Sequence, residues 1–168
     1  FILKNTFFSD SKLSEEEKGF ILKLKTITVN NTNIIPYNKT KIKSLLKIGK
    51  NNELIKTLIE KGYILKFEID KYYLNCNDIL FSSNEEREKV YRMIEKMCLN
   101  REIIPPPFEK NKLDKIKNKS PLLKLEEQLN KRCSEFKNGG LYEYIFKCFN
   151  ITQKQPVKNT YDEAYIIL

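Results

Sequence analysis

Residues 38–61 concentrate the side chains that could act on a partner. Seven lysines (Lys39, Lys41, Lys43, Lys47, Lys50, Lys56 and Lys61) stand there against two glutamates, Glu53 and Glu60. Asn38, Thr40, Asn51 and Asn52 are interleaved with them. An ammonium group binds phosphate as a point charge, and amides and hydroxyls at a helix start donate hydrogen bonds to phosphate oxygens. A carboxamide can also bond adenine N6 and N7 together, which makes Asn51 and Asn52, with Asn52 ahead, the candidates for reading bases. Asparagine at a helix start is equally an N-cap, so both roles stay open for the pair. The whole chain has 31 basic and 22 acidic residues, a net charge of +9, which favours an anionic partner, nucleic acid first. AT-rich coding produces part of the same lysine and asparagine bias. Lysine far outnumbers arginine, which weakens the case for bidentate reading of guanine.

Other chemistry has little to stand on. The chain has no histidine, hence no imidazole base, no Ser–His pair and no imidazole metal ligand. Gly139-Gly140 lacks the pattern of a phosphate-cradling loop, and Glu15, Glu16 and Glu17 sit where they serve a helix dipole. Cys76, Cys98, Cys133 and Cys148 are widely spaced with no CxxC pair, so each reads as a small buried hydrophobe in a reducing compartment and no metal site is expected. No catalytic activity and no cofactor are expected. With no run of 18 apolar residues and no signal peptide, the expected location is cytoplasmic.

Two short amphipathic helices must carry the basic stretch. Ile42, Leu45, Leu46 and Ile48 lie on one side of the first, and Leu54, Ile55, Leu58 and Ile59 form the stripe of the second, with a turn at Gly49 between them. The second helix is expected over residues 50–61, with Lys50, Asn51, Asn52, Glu53, Lys56, Thr57 and Glu60 outward, a face suited to a DNA major groove. Gly62 stops it, and Tyr63, Leu65, Phe67 and Ile69 alternate with Ile64, Lys66 and Glu68 in strand period. Asp70-Lys71 then reverses the chain into Tyr72, Tyr73 and Leu74. On this short hairpin Lys66, Lys71 and Tyr72 are expected to touch DNA backbone or a minor-groove edge; alternatively Tyr72 and Tyr73 pack the sheet, one of them facing inward. Ahead of the basic stretch, residues 1–8 read as a strand or packed arm. Ser14 and Glu17 form a capping box that opens a helix with Phe20, Ile21, Leu24 and Ile27 inward. Ile34 and Ile35 can add a third strand. Helix, turn, helix, hairpin is the order of a winged helix-turn-helix, so the expected fold is mainly α with a small β-hairpin (α+β).

The runs Leu13-Ser14-Glu15-Glu16-Glu17-Lys18-Gly19-Phe20, Ile35-Pro36-Tyr37-Asn38-Lys39-Thr40 and Leu58-Ile59-Glu60-Lys61-Gly62-Tyr63-Ile64 resemble winged-helix domains of AT-rich bacteria, their plasmids and phages. Such domains occur in transcription regulators, replication initiators and replisome organisers. The resemblance covers the first half of the chain and implies double-stranded DNA as a partner.

The domain expected over residues 1–81 is followed by a linking helix (82–104), opened by Ser82-Ser83-Asn84-Glu85-Glu86 with Val90, Ile94 and Met97 on one face. Three consecutive prolines at 105–107 read as a semi-rigid spacer and the basic run 110–119 as solvated linker, with a frayed helix or a cationic arm on phosphate as its alternatives, so residues 105–119 are expected to be a linker. Ser120-Pro121 opens a C-terminal helical interaction region, 120–168, where Leu122, Leu125, Leu129, Cys133 and Phe136 follow near heptad spacing. Leu141, Tyr142, Ile145, Phe146 and Phe149 make a further apolar helix, and the end of the chain reads as a strand or docking tail. These helices suggest a partner helix in the same chain or a homodimer or partner protein, with no membrane. The function expected is sequence-specific DNA binding in transcription regulation or replication initiation; the alternative is a non-enzymatic assembly protein whose winged helix docks other proteins in a replisome or virion.

Overall fold

The computed structural model describes residues 1–68 and 70–152, so Ile69 and the expected tail beyond Thr152 lie outside the described residues. The fold is α+β. Strand β1 (Ile2–Leu3) and a one-turn α1 (Asn5–Phe8) precede α2 (Glu15–Thr26), β2 (Ile34–Ile35), α3 (Lys39–Leu45) and α4 (Leu54–Glu60). The chain continues through β3 (Ile64–Glu68), β4 (Lys71–Leu74), β5 (Ile79–Leu80), α5 (Glu85–Leu99), α6 (Lys110–Lys119), α7 (Leu122–Arg132) and α8 (Leu141–Cys148). Strands β2, β4 and β3 form one antiparallel sheet with β4 in the middle, and β1 pairs with β5 in a second.

Local chemistry sets the helix ends. Ser14 Oγ accepts from the Glu17 N–H and the Glu17 carboxylate accepts from the Ser14 N–H, both at 3.1 Å, which satisfies two of the orphan donors of α2. Asn84 caps α5 through the Arg87 N–H at 3.0 Å. At the end of α4, Gly62 takes a left-handed φ of 85° while the Tyr63 N–H reaches back to the Leu58 carbonyl. That Schellman closure favours glycine because a Cβ there is strained. The turn after α3 is also left-handed, but at Lys47 (φ 55°) rather than at Gly49.

Two hydrophobic cores lie on either side of the three-stranded sheet. Ile42, Ile55, Leu58, Phe20, Ile21 and Leu24 build the first against Tyr72 and Leu74 of β4. Val90, Ile94, Leu113, Leu125, Ile145 and Phe146 belong to the second, which α5 closes with α6, α7 and α8. Successive residues of β4 point to opposite faces. Tyr72 therefore enters the first core, while Tyr73 points at α5, donates its hydroxyl to Glu95 and meets the Phe67 ring edge-on. One inward tyrosine was expected; both are buried, because α5 covers the face that a free wing would leave to solvent.

The seam between the cores is ionic. Arg92 bonds Glu88 at 3.1 Å and Glu95 at 2.9 Å, and donates to the Ile79 carbonyl. Lys25 donates to Asn33 Oδ1 at 2.7 Å and to the Thr32 carbonyl at 3.2 Å, with Phe81 below its ammonium group. Burial, with the Arg92 charge adding to it, pulls the Lys25 amine down to about 8, against the opposing pull of Glu95 and Glu88.

The stretch expected to be a linker is part of the fold. Its prolines do run without helix, but the Tyr91 and Tyr142 hydroxyls donate to the Pro106 and Pro107 carbonyls, and the Phe108 N–H donates to the Asn31 carbonyl. Phe108 stacks on Phe81 with ring centroids 5.2 Å apart. The basic run 110–119 is helix α6, with Leu113 and Ile116 wholly buried. The apolar stripes of α7 and α8 pack into the second core of this same chain.

Candidate nucleic-acid interface

Helices α3 and α4 and the turn between them place the expected basic residues on one connected segment. Asn38 caps α3, its side-chain oxygen accepting from the Lys41 N–H at 2.8 Å. Lys39, Thr40 and Lys41 on the first turn are exposed. Lys43 is half-buried and donates to the Lys50 carbonyl at 2.7 Å, tying α3 to the turn that follows. Ile42 is the anchor that faces these lysines outward, since it alone on α3 is wholly buried in the first core.

The second helix is shorter than expected. It begins at Leu54, so Lys50, Asn51 and Asn52 lie in the turn before it instead of on its outer face. The cause is local: Asn52 Oδ1 accepts from the Leu54 N–H at 2.8 Å and the Asn52 N–H donates to the Gly49 carbonyl, an Asx turn that competes with helix. This hydrogen bond holds the Asn52 side chain on its own backbone. Asn51 is exposed, and it is the amide left outward at this turn. Lys56 is exposed on α4.

On the hairpin, Lys66 is exposed on β3, opposite Tyr72, and Lys71 is half-buried at the start of β4. Tyr72 is 2% exposed and packs in the first core, so it is removed from the contact set. Lys61, counted with the basic stretch, serves the fold: it donates to both oxygens of Glu17 at 2.7 and 2.8 Å and to the Lys12 carbonyl. That bond holds the Glu17 carboxyl below its ordinary range. Among the described residues, Lys39, Lys41, Lys47, Lys50 and Lys56 form no ion pair. Lys47, absent from the expected contacts, is exposed in the turn between the two helices. Its signal in the sequence is its place directly after the last apolar residues of α3, where a turn must open to solvent.

No family model matches the sequence, and no curated protein and no solved structure matches the chain. The site therefore rests on its own geometry.

The arginines bear on its chemistry. All four, Arg87, Arg92, Arg101 and Arg132, lie in the second half of the chain. Each is bonded to protein groups: Arg87 to Asp114, Arg92 to Glu88 and Glu95, Arg101 to the Met97 carbonyl and Arg132 to the Cys148 carbonyl. The exposed cations of α3, α4 and their turn are lysines, which grip phosphate without a fixed planar fork. Three of the four thiols are held in their neutral form: burial pushes Cys98 and Cys133 up to about 12 and raises Cys76. Among the described residues there is no helix long and apolar enough to cross a membrane.

Proposed function

We propose that this chain is a sequence-specific double-stranded DNA-binding protein built on a winged helix-turn-helix, acting as a transcription regulator or a replication-initiation factor of a plasmid, phage or AT-rich bacterium. The observation that carries the reading is the set of five exposed lysines on α3, α4 and their turn, none held by a carboxylate among the described residues. The order α2, β2, α3, α4, β3, β4, with β4 central in its sheet, supports it, since this is the order the winged-helix resemblance implies. In this reading Lys39, Lys41, Lys47 and Lys50 hold phosphates, α4 enters the major groove with Lys56 outward, Asn51 reaches a base edge and Lys66 of the wing meets the backbone.

A dimer would need a surface other than the apolar stripes of α7 and α8, which are spent inside the chain; Leu123, 96% exposed on α7, is the apolar residue left outward there. The second reading, a winged helix that docks protein, is favoured by one residue: Leu45, 41% exposed on the same helix as the lysines. Selection from a random-sequence duplex pool at about 0.15 M salt, where non-specific phosphate contacts weaken, separates the two. An enriched motif supports DNA reading, and recovery of no motif overturns it in favour of the docking module.

A further inference from the structure

The corner where α7 and α8 end brings two of the four cysteines together. Cys133 caps the C-terminus of α7, and Cys148 is the last residue of α8. The Cys148 thiol donates to the carbonyl of Arg132, the residue next to Cys133, at 4.0 Å. The Arg132 guanidinium returns a bond to the Cys148 carbonyl at 2.6 Å and lies 5.1 Å from the Phe149 ring centroid. The two helix ends are thus fastened to each other around the sulfurs, and the thiols of Cys133 and Cys148 are in hydrogen-bond contact. The other two cysteines lie elsewhere, Cys76 in the first core and Cys98 on α5.

The paired thiols differ in access. Cys133 is wholly buried in the second core, whereas Cys148 is half-buried and shares its sulfur with the Tyr144 hydroxyl. Burial, with Cys148 adding to it, keeps the Cys133 proton in place, so the outer sulfur is the one that a reagent meets first. Two cations flank the inner one: Arg101 donates to the Cys133 and Ser134 carbonyls at 3.5 and 3.3 Å, and its charge and that of Arg132 favour a thiolate there. An outer attacking thiol with an inner resolving thiol behind it is the arrangement of a dithiol that closes by exchange.

We propose that Cys133 and Cys148 are a reversible redox pair, closed into an intrachain disulfide by a low-molecular-weight disulfide such as oxidised glutathione. Cys148, having lost its proton, attacks one sulfur of the small disulfide; that S–S bond breaks, and the first small thiolate leaves and takes up a proton. Cys133 then gives up its proton and attacks the Cys148 sulfur, expelling the second small thiolate, which is protonated in turn. Two protein thiols are oxidised and one small disulfide is reduced to two thiols, with no net proton change. The bond closes the chain over residues 133–148, restrains the unfolded state and takes the Cys148 sulfur from Tyr144. In a reducing compartment the pair stays open and reports a rise in oxidant. It shares no residue with the candidate DNA interface and does not depend on that reading.

The test exposes the full chain, under native conditions, to excess oxidised glutathione, followed by alkylation, peptide mass mapping and thermal melts. A Cys133–Cys148 cross-linked peptide is expected, with Cys76 and Cys98 still free, a thermal midpoint higher by about 5 °C or more, and full reversal by reduced glutathione. Cys133→Ala should stop with one glutathione on Cys148. Cys148→Ser, a change at a half-buried position, should leave Cys133 unmodified, and it keeps the order of attack testable if Cys133→Ala fails to fold. The proposal is overturned if wild type retains glutathione on Cys148 or does not react. A bond through Cys76, Cys98 or a second copy, a linked form that melts no higher than the reduced one, or modification of Cys133 in Cys148→Ser would overturn it equally.

Discussion

Helix α3 carries Lys39, Lys41 and Lys43, and α6 carries Lys110, Lys112, Lys115, Lys117 and Lys119, yet the two basic helices meet different surroundings. On α6, Lys112 pairs with Glu109 and lies 5.2 Å from the Tyr142 ring centroid, Lys115 lies 5.9 Å from that of Phe146, and Lys117 pairs with Glu86. These lysines cover the second core with their stems and find carboxylates or aromatic faces for their charge. On α3, Lys39 and Lys41 have neither. The same residue type thus closes a core in one half of the molecule and stands ready for an outside anion in the other. A count of charge does not separate these uses; the neighbours do.

The contrast can be broken first at the seam. Arg92→Met is expected to cost about 3–5 kcal/mol, because it leaves Glu88 and Glu95 buried without their cation. A denaturant titration with both halves followed separately checks this. Loss of the second core while the first persists would show that Arg92 is what joins them; a cost under about 1 kcal/mol would mean that water reaches these carboxylates. Tyr73→Phe should cost less, about 1–3 kcal/mol, by taking from Glu95 a buried donor while keeping the ring.

A third, smaller effect follows from Lys25. Its folded-state amine titrates near 8, below the ordinary 10.5, so between those values the unfolded chain binds more protons than the folded one and stability rises with pH. Wild type should therefore gain on Lys25→Met as pH rises from 8 to 10, and the two should run parallel below 8. Thermal melts across that range decide it. A difference that shrinks or stays flat would contradict the burial of this amine.

Much of the first half was legible from residue pattern alone. Ser14 and Glu17, Gly62 and the alternation after it specify a cap, a stop and a strand through contacts a few residues apart, and all three are found. Helix α6 was expected only as a frayed alternative to linker, because only Leu113 and Ile116 in ten residues are apolar and its stability comes from α5 and from rings of α8 far along the chain. In the site, the lysine positions could be read, but the length of α4 could not: Asn52 turns back on the Leu54 N–H, and an asparagine before a helix does not announce which of its two uses it takes. Tyr72 was placed among the contacts because the pattern of the hairpin does not say which of its two tyrosines faces the first core; β4 turns Tyr72 into that core and Tyr73 towards α5.

The measurement closest to the central contrast is duplex affinity as a function of salt for wild type, for Lys41→Glu/Lys50→Glu/Lys56→Glu, and for Lys112→Glu/Lys115→Glu. The α3–α4 variant should keep its thermal midpoint, lose at least about a hundredfold in affinity at 0.1 M salt, and have its log–log salt slope shallower by about 1.8, the two phosphate contacts of Lys41 and Lys50 at roughly 0.9 each. The α6 variant should melt earlier and, while folded, bind as wild type does. An α3–α4 variant with undiminished affinity and slope would contradict the assignment of these lysines to DNA.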